Sequence, residues 1–359
     1  MPDPVRVLVV GLGTMGRSHA SAYHRNPGFE IVGLMSRSIL SSAIPEELQG
    51  YPLFEDFDVA IAKTRPDAVS INSWPNTHAD YAIRAMEAGA HVFMEKPIAT
   101  TLADAERVVA TARATNRKLV LGYILRVHPS WIKFIELGRT LGKPLVMRLN
   151  LNQQSNGPAW TWHKNLMDSL LPIVDCGVHY VDVMCQLTGA RPVRVHGIGA
   201  ALWADAARPN YGHLHVTFDD GSVGWYEAGW GPMMSEVAYF VKDVIGPKGA
   251  VSIVPAAPGD RTDDVSASAD IDRHTKTDRI QFHSAEVGPD KNFTTADTFF
   301  STEDEPDHQD LCDREQALFL KAIREDIDLE PSMQAAIDSL RIVLAAEQSM
   351  AKGRVIELD

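Results

Sequence analysis

Two short stretches of this chain carry ionisable side chains in patterns that could move protons. Glu95-Lys96-Pro97 closes the apolar run Ala90-His91-Val92-Phe93-Met94, and Asp175-Cys176-Gly177-Val178-His179 sets a carboxylate four positions ahead of an imidazole. A lysine at the carboxyl end of a parallel strand stands where open α/β sheets bind ligands. Its ammonium could hydrogen-bond a reacting oxygen and stabilise negative charge developing there. Histidine ionises near neutrality and suits proton exchange with an alcohol or a ketone. With Pro172 opening a helix, Asp175 and His179 share one face of it. Asp175 can equally take a ligand hydroxyl on its own. Structural roles compete with these: Lys96 paired with an acid or a phosphate, His179 packed in a core, Asp175 as a helix-start acid. Spacing leaves both sets open. The Lys96–Pro97 bond is a candidate cis peptide.

Such side chains need a frame, and the first sixteen residues supply its clearest signal. Val5-Arg6-Val7-Leu8-Val9-Val10 reads as a strand buried on both faces, and it runs straight into Gly11-Leu12-Gly13-Thr14-Met15-Gly16. Residues 17–26 then read as a helix stopped by Pro27-Gly28. Strand, Gly-x-Gly-x-x-Gly and helix in this order form a dinucleotide fingerprint. Gly11 makes the turn, Gly13 admits a pyrophosphate and Gly16 lets helix and strand pack closely. The phosphates would rest on N–H groups at the positive end of the helix. The second strand, Phe29 to Met35, ends at Ser36-Arg37-Ser38. An acidic residue about twenty positions past the glycines grips the ribose of NAD, and none stands at 36–38. A serine and an arginine would instead bind a 2′-phosphate, so NADP is the expected cofactor, with NAD still open.

Strands at 67–72, 90–94 and 118–122 alternate with helices at 79–88 and 102–115. Ser73, Trp74, Asn76 and His78 lie in the loop after the first of these strands. With Glu95 and Lys96 they complete the candidate cofactor contacts. The pattern predicts an α/β chain whose N-terminal domain, residues 1–122, is a Rossmann doubly wound parallel sheet. From residue 123 to 359 the signals change to an α+β domain on a large, mostly antiparallel open sheet. Residues 145–153 alternate, with Leu145, Met147, Leu149 and Leu151 on one face and Arg148, Asn150 and Asn152 on the other. Hairpins are expected at 214–229, around Asp220-Gly221, and at 237–254. Residues from about 255 to 310 read as a polar, solvated insertion with one or two edge strands, with a substrate lid as the alternative. Two helices follow, 314–324 and 331–350, and their packing back on the first domain is left open. Trp160, Trp162 and His163 precede the Asp175 segment and offer aromatic faces and a polar group.

A net charge of −13 over 359 residues argues against nucleic acid or an anionic membrane as the main partner. Three cysteines without C-x-x-C spacing fit reduced thiols, and no cluster has the spacing of a metal site. The early core strand leaves no room for a signal peptide and no run is long enough to span a membrane, so a cytoplasmic protein is expected.

The glycine turn, Glu95-Lys96-Pro97 and Asp175-x-Gly177-x-His179 together resemble the Gfo/Idh/MocA oxidoreductase family, relatives of glucose-fructose oxidoreductase and inositol dehydrogenase. The resemblance runs through Gly353-Arg354-Val355-Ile356 near the end of the chain. It implies a nicotinamide nucleotide on the first domain. A sugar, sugar derivative or cyclitol would bind between it and the second domain's sheet, whose other face makes homodimer or homotetramer contacts. Carried over by position, it makes Lys96, His179 and Asp175 catalytic and keeps Arg126 beside the substrate. Trp160, Trp162 and His163 are candidate substrate contacts on their own chemistry, against a packing role. This chain departs from the family in having Trp74 before Pro75, Ile124-Leu125-Arg126 for Asn-Tyr-Arg, and Ser169-Leu170-Leu171-Pro172 for a run of small residues. Hydride transfer to or from a hydroxyl or carbonyl is the implied reaction. A redox-assisted glycosidase and a non-catalytic NADPH-responsive regulator are the competing readings.

Overall fold

β-Branched runs with few polar interruptions make strands covered on both faces. In β1 (Val5–Val10), the side chains from Val7 to Val10 have no exposure at all. A computed structural model describes residues 3–39, 44–234, 241–254, 275, 277, 279–302 and 304–358. The chain divides into two units, Met1–Val127 with Asp307–Ile337, and His128–Pro306 with Asp338–Asp359.

In the first unit β1 leads into α1 (Thr14–Arg25), β2 (Phe29–Met35), β3 (Leu53–Phe54), α2 (Phe57–Thr64) and β4 (Ala68–Ile71). Then come α3 (His78–Glu87), β5 (His91–Glu95), α4 (Leu102–Thr115) and β6 (Leu119–Gly122). All strand pairs are parallel, in the order β3-β2-β1-β4-β5-β6. The winding reverses between β1 and β4, the switch point where such sheets bind ligands. β3 and α2 lie outside the elements expected from sequence. The helix is only eight residues long and is started by Asp56, whose side chain accepts from the Val59 N–H. The chain returns to this unit with a helix at His308–Arg324, capped by Asp307. Its Phe319 and Ala322 enter the core with Val5, Phe29 and Phe93. Gly28 is bare because Leu320 of this helix packs on it, and a Cβ there would come within 2.3 Å.

The second unit begins with α5 (Pro129–Arg139), β7 (Val146–Gln154), α6 (Gly157–Leu166), α7 (Pro172–Asp175) and α8 (Gly177–Thr188). Strands β8 (Pro192–Ala200), β9 (Tyr211–Phe218), β10 (Val223–Gly231), β11 (Lys242–Gly246) and β12 (Gly249–Val254) follow, then β13 (Arg279–Ser284) and β14 (Thr298–Ser301). The final elements are α9, the helix His308–Arg324 already placed, α10 (Glu330–Lys352) and β15 (Ile356–Glu357). The nine strands run β14-β13-β12-β11-β7-β10-β9-β8-β15. Both expected hairpins form, β9 with β10 and β11 with β12. Residues 237–240 of the second hairpin, and 255–274 of the expected insertion, lie outside the described residues. The described part of that insertion adds the strands β13 and β14 to one edge. The sheet is antiparallel except where β10 inserts beside β7 and runs parallel to it. Alternation within one strand does not encode that pairing. Leu145 just before β7, and Met147, Leu149 and Leu151 within it, are buried as expected, yet Asn150 and Asn152 on the other face are also buried. Asn150 Oδ1 accepts from the Val241 N–H, so the buried amide has its partner.

Phe319→Ala would empty a fully buried site between Phe29 and Phe93, whose ring centroids lie 6.2 and 6.1 Å away. It should destabilise the first unit by about 3–5 kcal/mol, read as a fall in the urea midpoint. A change under about 1 kcal/mol would contradict this packing.

Candidate active site

At the carboxyl edge of the parallel sheet, Gly11 has φ +85° and a Cβ there would meet Asn72 O at 2.5 Å. A Cβ on Gly16 would meet Gly11 O at 1.9 Å. Both glycines are therefore fixed by packing inside the fold. Gly13 differs: a Cβ there meets nothing within 4 Å, and its φ of −68° suits any residue. Gly13 is the N-cap of α1, where no side-chain cap bond is made and no acidic residue occupies the first turn. An open glycine below helix N–H groups fits a pyrophosphate, the group the fingerprint implies. Ser36 to Ser38 follow β2 in a turn, with Arg37 exposed.

The same edge carries residues 72–78 after β4. Asn72 is buried, with its N–H on Val10 O, and Ser73 Oγ lies 2.6 Å from Thr77 Oγ1. Trp74 is exposed, whereas His78 is buried, with Nδ1 2.8 Å from Pro97 O and Nε2 3.0 Å from Ser73 O. Burial lowers the His78 pKa, and the two carbonyls and the Glu95 charge oppose that shift. β5 delivers Glu95 and Lys96, and the Lys96–Pro97 peptide is cis. Arg126 follows β6 with Nη1 3.4 Å from Ser332 Oγ and its guanidinium beside the Tyr123 ring.

Sequence reasoning missed the groups behind Glu95. His19 Nε2 lies 2.8 Å from Glu95 Oε1, and the Lys96 N–H donates to Oε2 at 3.1 Å. The Gln316 amide nitrogen is 2.8 Å from His19 Nδ1. With that amide donating, Nδ1 accepts and the Nε2–H donates to Glu95. His19 lies three residues after Gly16, a helical spacing that points at the sheet, so its burial was legible. Its partner Gln316 is 297 residues away and was not. His19, Cys312 and Glu315 bring ligand-type atoms within 4.8 Å of one another. Both imidazole nitrogens are committed to Glu95 and Gln316, so the cluster reads as a polar network rather than a metal centre. Burial, with Glu95 nearby, pushes the Glu315 carboxyl well above its ordinary range, and burial likewise raises the Cys312 thiol and the Tyr23 hydroxyl.

In the second unit the expected helix from Pro172 is two helices. α7 ends at Asp175, α8 starts at Gly177, and the His179 N–H donates to Cys176 O. Asp175 is buried and His179 half-buried. Cys176 Sγ is 3.7 Å from Asp175 Oδ2 and 3.3 Å from Gln153 Oε1. The same Gln153 oxygen accepts from Trp230 Nε1 at 2.6 Å. Trp230 stacks on His163, with centroids 4.4 Å apart and planes 7° from parallel. Asp175 and His163 are thereby linked through the ends of β7 and β10. Trp160 is buried, and Trp162 is exposed beside His163. Gln153 and Trp230 were not anticipated, because the parallel β7–β10 pairing that aligns them leaves no periodic signal.

A parallel sheet in this order, with a glycine turn at its switch point, is a dinucleotide-binding Rossmann fold. The chain belongs to the Gfo/Idh/MocA oxidoreductases. Residues 5–123 match the profile described as oxidoreductase family, NAD-binding Rossmann fold, and residues 135–252 match the GFO/IDH/MocA C-terminal domain. It is similar to UDP-N-acetylglucosamine 3-dehydrogenase of Acidithiobacillus ferrooxidans, 30% identical over 220 residues. That match covers 61% of this chain and 65% of the relative, so just under two thirds of the relative's length is spanned. It is also similar to scyllo-inositol 2-dehydrogenase (NAD(+)) of Bacillus subtilis, 27% identical over 267 residues, covering 70% and 75%. The fold matches the crystal structure of an NAD binding oxidoreductase from Klebsiella pneumoniae with a TM-score of 0.78, 18% identity and 99% of both chains covered. The family, the Rossmann sheet and the second, mostly antiparallel sheet agree with the sequence expectation. Among the described residues, no helix is long and apolar enough to cross a membrane.

Gly13→Ala should fold with a melting temperature close to wild type yet bind NADH about tenfold more weakly or worse, ~1.4 kcal/mol, measured by nucleotide fluorescence. Undiminished binding would remove Gly13 from the phosphate cradle. Glu315→Gln tests the buried acid. Unfolded, Glu315 ionises above its ordinary value of 4.5; folded, it stays protonated to higher pH, so folding takes up a proton. Stability should therefore fall as pH rises from 4.5 towards the raised folded value. The glutamine variant lacks that slope. Urea midpoints at about pH 5 and about pH 8 should diverge in the wild type more than in the variant; equal slopes would mean a native carboxylate.

Proposed function

We propose that this protein is an NAD(P)-dependent dehydrogenase or reductase. In this reading it transfers a hydride between the nicotinamide and a hydroxyl or carbonyl of a sugar, sugar derivative or cyclitol. The observation that carries the reading is the open Gly13 cradle at the N-terminus of α1, on the same sheet edge where Lys96 follows β5. The bound nicotinamide supplies the hydride acceptor or donor. The chain's own groups handle the hydroxyl proton. Lys96 and His179 are the candidates for taking it, and Lys96 also stabilises charge on the reacting oxygen. Asp175, Arg126, His163 and the tryptophans 160 and 162 bind substrate hydroxyls and ring faces. The substrate class is supported by the names of the relatives, one acting on UDP-N-acetylglucosamine and one on scyllo-inositol.

NADP is the preferred cofactor in this reading. Arg37 is exposed in the turn after β2, and no carboxylate at 36–38 would repel a 2′-phosphate. A homodimer or homotetramer through the nine-stranded sheet belongs to the same reading. Val146, Val223 and Ile245 are exposed side by side across β7, β10 and β11 and offer it an apolar row.

Separate titrations of NADP and NAD against apo protein should show tighter NADP binding; markedly tighter NAD binding would discard the 2′-phosphate argument. Reduction of either cofactor should follow addition of one of myo-inositol, methyl β-D-glucoside or UDP-N-acetylglucosamine. Lys96→Met should lower kcat about 10²–10⁴-fold with nucleotide affinity retained. Near-normal turnover in that variant would take Lys96 out of the chemistry.

A further inference from the structure

The chain on either side of Lys96 meets buried groups that take no part in the proposed proton transfer. On its amino side the Glu95 carboxylate takes the Lys96 N–H on one oxygen and faces His19 Nε2 with the other. Gln316 fixes that imidazole from behind. On its carboxyl side Pro97 O faces His78 Nδ1, and the other nitrogen of the same ring faces Ser73 O. His19 is 0% exposed, His78 1% and Glu95 6%. Hydrogen bonds to a charged carboxylate are short and strong, and burial strengthens them further. Leaving one unmade in the interior strands a desolvated partner. The corner after β5 therefore has one low-energy arrangement relative to α1. His78 adds one further hydrogen bond, because burial lowers its pKa and the neutral ring has a single N–H for either Pro97 O or Ser73 O.

We propose that His78 and the Glu95–His19 pair are positioning residues that hold the chain on either side of Lys96, at the Lys96 N–H and near the Pro97 carbonyl, and so present the Lys96 amine in one place. Buried His78, in an expected cofactor loop, acts through Pro97 and Ser73 rather than by touching the nucleotide. The proposal rests on the reading of Lys96 as a proton-handling group. A displacement of about 1 Å in such a group can cost ~10²-fold in rate, so the ties should register in turnover before binding.

The test compares wild type with His78→Gln and Glu95→Gln, both near in size to the residues replaced. Lys96 is labelled with acetic anhydride and its rate, relative to exposed Lys63 in the same digest, is read by peptide mass spectrometry. This readout needs no substrate. The ratio should change about threefold or more in each variant, as the local structure loosens. With whichever of the three compounds above is turned over, kcat should fall about 10–100-fold while KM and the NADH Kd stay within about threefold. An unchanged labelling ratio in a folded variant, or a kcat within about twofold of wild type, would overturn the proposal. So would a loss of NADH binding that matches the loss of kcat, which would mark a collapsed nucleotide loop. If His78→Gln does not fold, Glu95→Gln decides. Wild-type turnover in Lys96→Met would sink the catalytic reading instead, and the labelling ratios would still report on the grip itself.

Discussion

The closeness of α1 to the sheet at Gly11 and Gly16 is the constraint on which the first unit depends. The helix passes so near the strand end that a single Cβ on Gly16 would sit 1.9 Å from Gly11 O. Only at that distance can His19, one turn further along, reach the carboxylate of Glu95, and Tyr23, a further turn on, enter the core beside Phe29. Glycine is the cheapest solution to such an approach and leaves no side chain to substitute. The cradle at Gly13 and the buried Glu95 contact are thus two consequences of one packing requirement.

Burying a carboxylate is costly unless its lone pairs are used. Glu95 meets that condition with the His19 imidazole and the Lys96 backbone N–H. Glu315, a short way off on α9, does not: its carboxyl oxygens have no hydrogen-bond partner among the described residues, and burial, with Glu95 nearby, pushes its pKa well above the ordinary range. A raised pKa lets the second acid of a buried cluster give up its charge instead of repelling the first. The network joins α1, the end of β5 and a helix from near the end of the chain. A polar cluster of this kind ties distant segments with a specificity that apolar contact around Phe319 lacks.

The second unit shows the same logic at the ends of β7 and β10. Gln153 Oε1 receives both Trp230 Nε1 and the Cys176 thiol, so one amide aligns an aromatic stack and the turn after Asp175. The break between α7 and α8 falls at Cys176, the residue held by that amide. A single straight helix would satisfy the sequence pattern equally well.

Much of the first unit was legible in the sequence because its signals are local. Unbroken Val/Leu runs, a glycine triplet at fixed spacing and turn residues every few positions specify strand, turn and helix within a window of neighbours. The absence of a carboxylate at 36–38, the Asp-Gly hairpin and the placement of Lys96 at a strand end belong to the same kind. The tertiary structure alone decided what depends on partners far along the chain. It set Gln316 against His19, Phe319 into the core of the first sheet, β10 parallel to β7, and the Val241 N–H against the buried Asn150 amide oxygen. Periodicity says which face of an element is apolar, but it carries no record of which distant element will cover that face or satisfy the polar atoms left beneath it.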